Sequence, residues 1–435
     1  MLKRKATAYI KNWMDTKDKK CLVVQGARQT GKTYIIERFA EENFEELLEI
    51  NFKQMPSAMD IFAGDLTVDN MIMAMRFRFL ERKIVPGKTL IFLDEIQECQ
   101  EAITSLKFWA IDNRYDVVAS GSLLGIDYKR ASSYPVGYVD YLRMYGMDFE
   151  EFLWGMGVSE DMIENLCGYL HSKTVIPEAI HSQMMNYYRQ YVATGGMPEV
   201  VQKYIDIKDF REVDRVQRNL LQGYQYDIAH YATAEEKVKA EKCYLSLAKQ
   251  LLDKENHKFQ YKEIEHGGRA QKYYSSVEWL LRADMVQLCK RVTDVRFDLD
   301  DYARDDFFRA YTTDLSLLMA MKDFSLKQHI VENTLAGNSK GGIYECAIAD
   351  ALYKKGYQIY FYKNDTTKRE IDVIIQKDGS VVPIEVKSRN TRANSLKWLM
   401  KNNKDISYGY KFADGNIGVS EEGIITLPLY MIAFI

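Results

Sequence analysis

The chain has 435 residues, 47% of them hydrophobic, with 59 Lys or Arg against 62 Asp or Glu and a formal net charge of −3. That length predicts two to four packed domains, and the charge balance excludes a global electrostatic footprint for nucleic acid, so any such contact has to be local. No apolar run approaches a membrane span, MLKRKATAYIKNW has no signal core, and the dispersed cysteines (21, 99, 167, 243, 289, 346) and histidines lack zinc or C-x-x-C spacing, so a cytoplasmic protein with reduced thiols is expected.

The first predicted element is a buried strand, Cys21 to Val24, followed by Gly26 to Thr33, GARQTGKT, and a helix starting near Lys32. This is the P-loop pattern G-x-x-x-x-G-K-[ST] in the place its mechanism requires. The backbone N–H groups of Gly26, Ala27, Arg28, Gln29, Thr30 and Gly31 would cradle the phosphates of ATP, Lys32 would reach the β and γ phosphates, and Thr33 would ligate Mg²⁺. Next, Lys88 to Glu95, KTLIFLDE, reads as a buried strand ending in acid. Asp94 would hold the Mg²⁺ through water and Glu95 would polarise the attacking water. Alone, that run is equally an ordinary strand with two acids in its turn; with the P-loop it points to an ATPase. A third buried strand, Tyr115 to Ala119, ends at Ser120-Gly121-Ser122. There Ser120 or Ser122 could meet the γ-phosphate, although Ser-Gly-Ser after a strand is as often only a turn.

From Trp154 to Tyr231 the pattern is helical and rich in aromatic residues, broken by the GGMP turn at Gly195 to Pro198. By this point the chain resembles the prokaryotic AAA-type ATPases that carry a DUF4143 C-terminal region. The residues that carry the resemblance are GARQTGKT (26–33), LDEIQ (93–97), SGSLLG (120–125), SYPVGYVDYLRMYGMDFEEFLW (133–154), YVATGGMPEVV (191–201) and YQYDIAHY (224–231). The resemblance implies a parallel P-loop sheet with a helical lid beside the nucleotide. Many relatives carry an Arg after the glycine where Gly137 is followed by Tyr138, so the arginine finger is unassigned among Arg130, Arg143 and Arg28. A homo-oligomer that supplies the finger from a neighbouring subunit is a further expectation.

Lys237 to Asp253 is amphipathic, Gln260 to Glu265 is short, Gly267-Gly268 is a turn, and Arg269 to Arg282 is a longer helix. That order resembles a winged helix-turn-helix with Met285 to Val292 as its first wing strand. Arg269, Gln271 and Lys272 would then begin a recognition helix, although such modules also serve as plain protein-interaction units.

The last signal is Ile371 to Ser388, IDVIIQKDGSVVPIEVKS. Asp378-Gly379 is a strong two-residue hairpin signal, and that loop sets Asp372 directly opposite Glu385, with Lys387 on their face and Pro383 opposite Ile374. Ile371, Val373, Ile375, Val382, Ile384 and Val386 make the other, core-facing side. Opposed like charges destabilise a strand pair, so a compensating cation is expected, either Lys387 or a bound metal such as Mg²⁺. A solvated hairpin face carrying Asp, Glu and Lys is the plainer alternative. Asp372, the hairpin and Glu385-Val386-Lys387 resemble the PD-(D/E)xK motif of the restriction-endonuclease-like superfamily, in a degenerate form with Ile371 in the proline position. Glu345, in the periodic helix GGIYECAIADALYKKG that ends at Gly356, matches the acid that family carries on the preceding helix. The resemblance implies that Asp372 and Glu385 hold Mg²⁺, joined by Glu345, while Lys387 orients or activates water. Lys387 to Lys404 carries only basic charges, and a helix near 393–400 would put Lys397 and Lys401 beside phosphate or simply in solvent.

The expectation is therefore an α/β multidomain chain: a P-loop AAA-type ATPase domain (1–155), a helical lid or linker (156–235), a winged-helix-like domain (236–310) and a restriction-endonuclease-like domain (311–435). Its expected function is Mg²⁺-dependent ATP hydrolysis coupled to a nuclease-like domain that binds or cleaves DNA. The alternative is an ATP-switched DNA-binding or protein-interaction protein without nuclease activity.

Overall fold

Cys21–Gln25 (β1) sends Leu22 and Val24 to one face and Cys21 and Val23 to the other, and both faces are buried, which is why the run reads as uninterrupted hydrophobics. Glu46–Asn51 (β2), Thr89–Asp94 (β3), Asp116–Gly121 (β4) and Val139–Arg143 (β5) join it in a parallel sheet of order β2-β3-β4-β1-β5. The helix Lys32–Asn43 covers one face with Ile35, Ile36 and Phe39. The helix Gln100–Asp112 covers the other with Ile103, Leu106 and Trp109. Because β1 lies between β4 and β5 while β2 is at the far edge, the strand order reverses beside β1, and the carboxyl ends of β1, β3 and β4 open on the crevice where open α/β sheets bind ligands.

The computed structural model describes residues 2–121, 135–233, 235–252, 258–389 and 391–435. They form two units: Lys3–Tyr145, which contains this sheet, and Gly146–Ile435 joined by Leu2.

The second unit begins with helices Phe149–Gly155, Glu160–Ser172, Glu178–Thr194, Pro198–Ile207 and Phe210–Tyr231. Asp148 caps the first through a reciprocal box with Glu151. Its Phe149 and Phe152 pack on Tyr188 and Tyr191, with centroid separations of 5.2 Å for Phe149–Tyr188 and 5.5 Å for Phe152–Tyr191. The GGMP turn needs its first glycine: Gly195 has φ +75°, and a Cβ there would stand 2.0 Å from the Ser316 amide nitrogen.

The remaining strands are Val286–Val292 (β6), Ala303–Thr312 (β7), Tyr360–Lys363 (β8), Glu370–Lys377 (β9), Ser380–Val386 (β10), Gly409–Ala413 (β11), Gly418–Val419 (β12) and Ile424–Pro428 (β13). They make one mixed sheet of order β12-β13-β11-β10-β9-β8-β6-β7. The hairpin register is the expected one, with Ile384 on Val373, Pro383 on Ile374 and Ser380 on Lys377, and Asp378 and Gly379 both at positive φ, as the turn requires. The helix Gly337–Lys354 ends as expected, with Gly356 at φ +82° and its N–H on the Tyr353 carbonyl.

Two expectations are corrected here. The hairpin is not buried on one side only: β9 and β10 lie inside the sheet, and Ile374 and Val381 pack under Leu396 and Leu399 of the helix Asn394–Asn402. β6 is not a separate wing, because it pairs with β7 and with β8 in the C-terminal sheet, so a boundary at 310/311 would cut through β7. The helices Glu236–Leu252 and Ala270–Arg282 form as expected, and among the described residues between them lies a short 3₁₀ turn, Tyr261–Glu263, within the short 260–265 segment.

Candidate functional site

The residues singled out by the sequence motifs gather in two lysine–carboxylate centres, one in each unit. In the first, Gly26 is obligatory: with φ +154°, a Cβ would lie 2.1 Å from the Met144 carbonyl. Gln29 and Gly31 also take positive φ, which turns the loop back over the start of the helix Lys32–Asn43 and leaves that helix's first N–H groups without intrahelical partners. The Lys32 ammonium folds onto the carbonyls of Gly26 (3.1 Å) and Ala27 (2.8 Å). Thr30 is buried and its hydroxyl donates to the Ala27 carbonyl, while Ala27 is buried and Arg28 half-buried.

Asp94 ends β3 and is 3% exposed. Its Oδ2 accepts from Thr33 Oγ1 at 3.3 Å and from Asn51 Nδ2 at 2.8 Å, and its Oδ1 accepts from the Ser120 hydroxyl. Ser120 is itself buried, so its present partner is Asp94. Glu95 sits in the left-handed region, accepts from Gln97 Nε2 at 2.6 Å and pairs with Lys53 at 3.1 Å. Two further acids sense the field of Asp94. Glu37, on the P-loop helix, is raised by burial and then by Asp94; Glu49, on β2, is raised by burial, then by Glu37 and Asp94.

The second centre lies where β7, β9, β10 and the helix Gly337–Lys354 meet. Asp372 Oδ2 accepts the Val386 N–H at 2.8 Å. Glu385 is buried, accepts the Leu396 N–H on Oε2 at 3.0 Å and holds Lys387 on Oε1 at 2.5 Å. Glu345 is buried and accepts from Arg309 Nη1 at 2.8 Å and from the Tyr311 hydroxyl at 2.7 Å. Burial and then Glu345 push the Asp372 carboxyl up to about 7, against Arg309 and Lys387, which pull it down. Burial lowers the Lys387 ammonium, but Glu385 and Asp372 outweigh it and hold it above its usual range. The four residues read from sequence thus stand within electrostatic reach of one another.

Sequence reasoning missed Asn51, Lys53 and Gln97 at the first centre and Arg309, Tyr311, Glu370 and Lys363 at the second. The one available signal was Arg309 itself, a lone charge amid Phe307, Phe308, Ala310 and Tyr311, a setting in which a charge has to be paired. Of the finger candidates, Arg143 lies on β5 with its guanidinium 5.3 Å from the Tyr145 ring centroid. Arg130 and Ser122 lie outside the described residues. Lys397 is compensated by Glu422, and Lys272 by Glu265. Among the described residues no helix is long and apolar enough to cross a membrane.

Residues 18–153 match the AAA domain family AAA_14, residues 185–328 a domain of unknown function, DUF8612, and residues 340–432 another, DUF4143. The first and last matches agree with the resemblance read from the sequence motifs. No curated protein matches the chain. Similar solved structures include AMPPCP-bound DnaA from Aquifex aeolicus (12% identity, 64% of this chain and 86% of that one, TM-score 0.31) and the Aeropyrum pernix ORC1 protein in complex with DNA (12%, 76% and 91%, TM-score 0.26). Neither likeness carries a residue or a ligand over to this chain.

Proposed function

We propose that the AAA domain of this chain hydrolyses ATP and that the rest of the chain reads the nucleotide state. The observation that carries the proposal is the juxtaposition of the Thr33 hydroxyl and the Asp94 carboxylate at 3.3 Å, beside the Lys32 ammonium that donates to the Gly26 and Ala27 carbonyls. Those two oxygens, set in the acidic surroundings of Glu37 and Glu49, fit a hard divalent cation, and Thr33 and Asp94 would hold it. Mg²⁺ would neutralise charge on the β and γ phosphates.

The chain's own groups account for the other parts. Backbone N–H groups of 26–33 and the start of the helix Lys32–Asn43 bind the phosphates, and Lys32 exchanges two carbonyls for phosphate oxygens. Glu95 accepts a proton from the attacking water once it turns from Lys53 and Gln97. Ser120 and Asn51 fix the Asp94 carboxylate. A neighbouring subunit supplies the arginine finger, so ATP should promote a homo-oligomer visible by light scattering. Lys32→Ala tests the reading directly: hydrolysis should vanish with the fold intact, and unchanged turnover refutes it.

For the C-terminal unit, the arrangement favours ATP-switched binding of DNA over its cleavage. In the cleavage reading, Asp372 and Glu385, joined by Glu345, hold Mg²⁺ while Lys387 assists water. These carboxylates do not fit a metal as they stand. Glu385 has both oxygens engaged by Lys387 and Leu396, Glu345 is held by Arg309 and Tyr311, and among the described residues no cluster of three or more acids, histidines or cysteines is assembled for an ion. The exposed Arg269 and Gln271, at the start of the helix Ala270–Arg282, remain available for phosphate. DNA binding should then weaken steeply with salt in fluorescence anisotropy. Absence of binding at low salt favours the protein-interaction alternative.

A further inference from the structure

The buried cation at the second centre does more than pair one acid. Arg309, on β7, is 2% exposed and divides its guanidinium among three acceptors on two other elements. Nη1 donates to Glu345 on the helix Gly337–Lys354 at 2.8 Å and to the Asp372 carbonyl on β9 at 3.0 Å, and Nη2 pairs with Glu370 at the head of β9. The Phe361 ring of β8 lies 4.3 Å from the guanidinium, which closes one face. Around it the other charges are matched: Glu370 also pairs with Lys363 at 3.1 Å, and Glu385 with Lys387 at 2.5 Å.

We infer that Lys387 on Glu385 and Arg309 on Glu345 and Glu370 together fill the place of the cation that the hairpin's opposed carboxylates call for, so that Glu345, Glu370, Asp372 and Glu385 form a polar core that works without a divalent metal. A hard ion needs several carboxylate and carbonyl oxygens aimed at one point. Here one oxygen of Glu345 takes two donors, Glu385 has both oxygens occupied, and Glu370 has both paired. An incoming divalent ion would also stand beside a guanidinium that keeps its charge at any working pH and is 2% exposed. What the core does instead is mechanical. It fixes the end of the hairpin, the helix Gly337–Lys354 and β7 as one body, through a fork geometry that an ammonium does not reproduce.

The inference is independent of ATP hydrolysis, and its test leaves the P-loop residues unchanged. Mn²⁺ binding to the full chain without nucleotide would be counted by electron paramagnetic resonance, for the wild type and for Asp372→Asn/Glu385→Gln. Mn²⁺-dependent cleavage of single- and double-stranded DNA would be assayed beside it. The expected result is the same Mn²⁺ stoichiometry in both proteins, affinities within 2-fold, and no cleavage that the double variant removes. A bound ion lost in the double variant, or cleavage lost with it, overturns the inference. Arg309→Met supplies the converse. It should gain a Mn²⁺-dependent rise in melting temperature that Arg309→Met/Asp372→Asn loses; a folded Arg309→Met with no new Mn²⁺ response counts against Arg309 as a resident cation. Should that variant fail to fold, the wild-type arm decides alone.

Discussion

The two lysine–carboxylate centres differ in what closes them. At the P-loop, the buried Asp94 carboxylate accepts from two hydroxyls and an amide. At the C-terminal hairpin, Glu345, Glu370 and Glu385 are held by Arg309, Lys363 and Lys387. A charge solvated by neutral dipoles keeps its field and still attracts a counter-charge, whereas a charge paired in a low-dielectric interior has little field left to offer. The first centre is therefore arranged to receive a ligand and the second to stay shut, although the motif pattern marks both as metal sites.

The largest effect that can break this contrast is on catalysis. Lys32→Ala should lower ATP turnover about 10³-fold, which corresponds to about 4 kcal/mol of activation free energy, with circular dichroism and melting temperature unchanged. A Lys32→Ala protein that fails to fold would make the first centre structural, like the second. Next in size is stability. Arg309→Met leaves the buried Glu345 and the half-buried Glu370 without their shared partner and should cost about 3–5 kcal/mol in urea unfolding, the range for removing one member of a buried pair. A loss under about 1 kcal/mol would mean that water reaches those acids and that the core is open.

How much of this was readable beforehand follows from range in the chain. The P-loop, the hairpin register and the end of the helix Gly337–Lys354 are set by neighbours in sequence: Gly31 before Lys32, Asp378-Gly379 between two alternating runs, Gly356 after a periodic stretch. Asn51, Lys53 and Gln97 act on Asp94 and Glu95 only because β2 lies beside β3, an adjacency that no local pattern encodes. Arg309 was harder still, since it reaches Glu345 and Asp372 across strands far apart in the chain. The wider pairing of β6 was hidden for the same reason: β6 has an ordinary strand pattern, and only its pairing with β8 puts it in the C-terminal sheet.

A smaller effect comes from a third buried group, which sharpens the meaning of a shut centre. Lys354 is shared by Asp314 at 2.7 Å and Asp350 at 2.9 Å. Asp314 also accepts the Gly196 and Ser316 N–H groups and is held low, although burial opposes this. Burial raises Asp350 to about 7, with Lys354 pulling against it and Asp314 adding to the rise. Because the folded value of Asp350 lies above the unfolded one near 3.9, folding takes up a proton, and that stabilisation is complete below about pH 4 and lost as pH rises through about 7. Asp314 has the opposite sign: its contribution is present above pH 4 and lost below it. Asp350→Asn should therefore remove up to about 1.4 kcal/mol per pH unit of falling stability between pH 4 and 7, measured by urea unfolding at several pH values. An unchanged slope would mean that Asp350 is ionised in the folded protein and that Lys354 serves both acids equally.

The smallest effect tests the open centre at a charged tether. Lys53 holds Glu95 at 3.1 Å, and both side chains are partly exposed, so the pair contributes about 0.5 kcal/mol at most. Its consequence is directional, because the same carboxylate oxygen also accepts from Gln97 at 2.6 Å, so both contacts would compete with a water for it in the proposed hydrolysis. Lys53→Met should raise basal ATP turnover about 2-fold and leave ATP affinity unchanged, as expected if a weak ground-state contact is removed and no transition-state contact is lost. A fall of 10-fold or more would place Lys53 among the groups that position the attacking water. The first centre would then also depend on a charge pair, and the difference between the two centres would be one of degree.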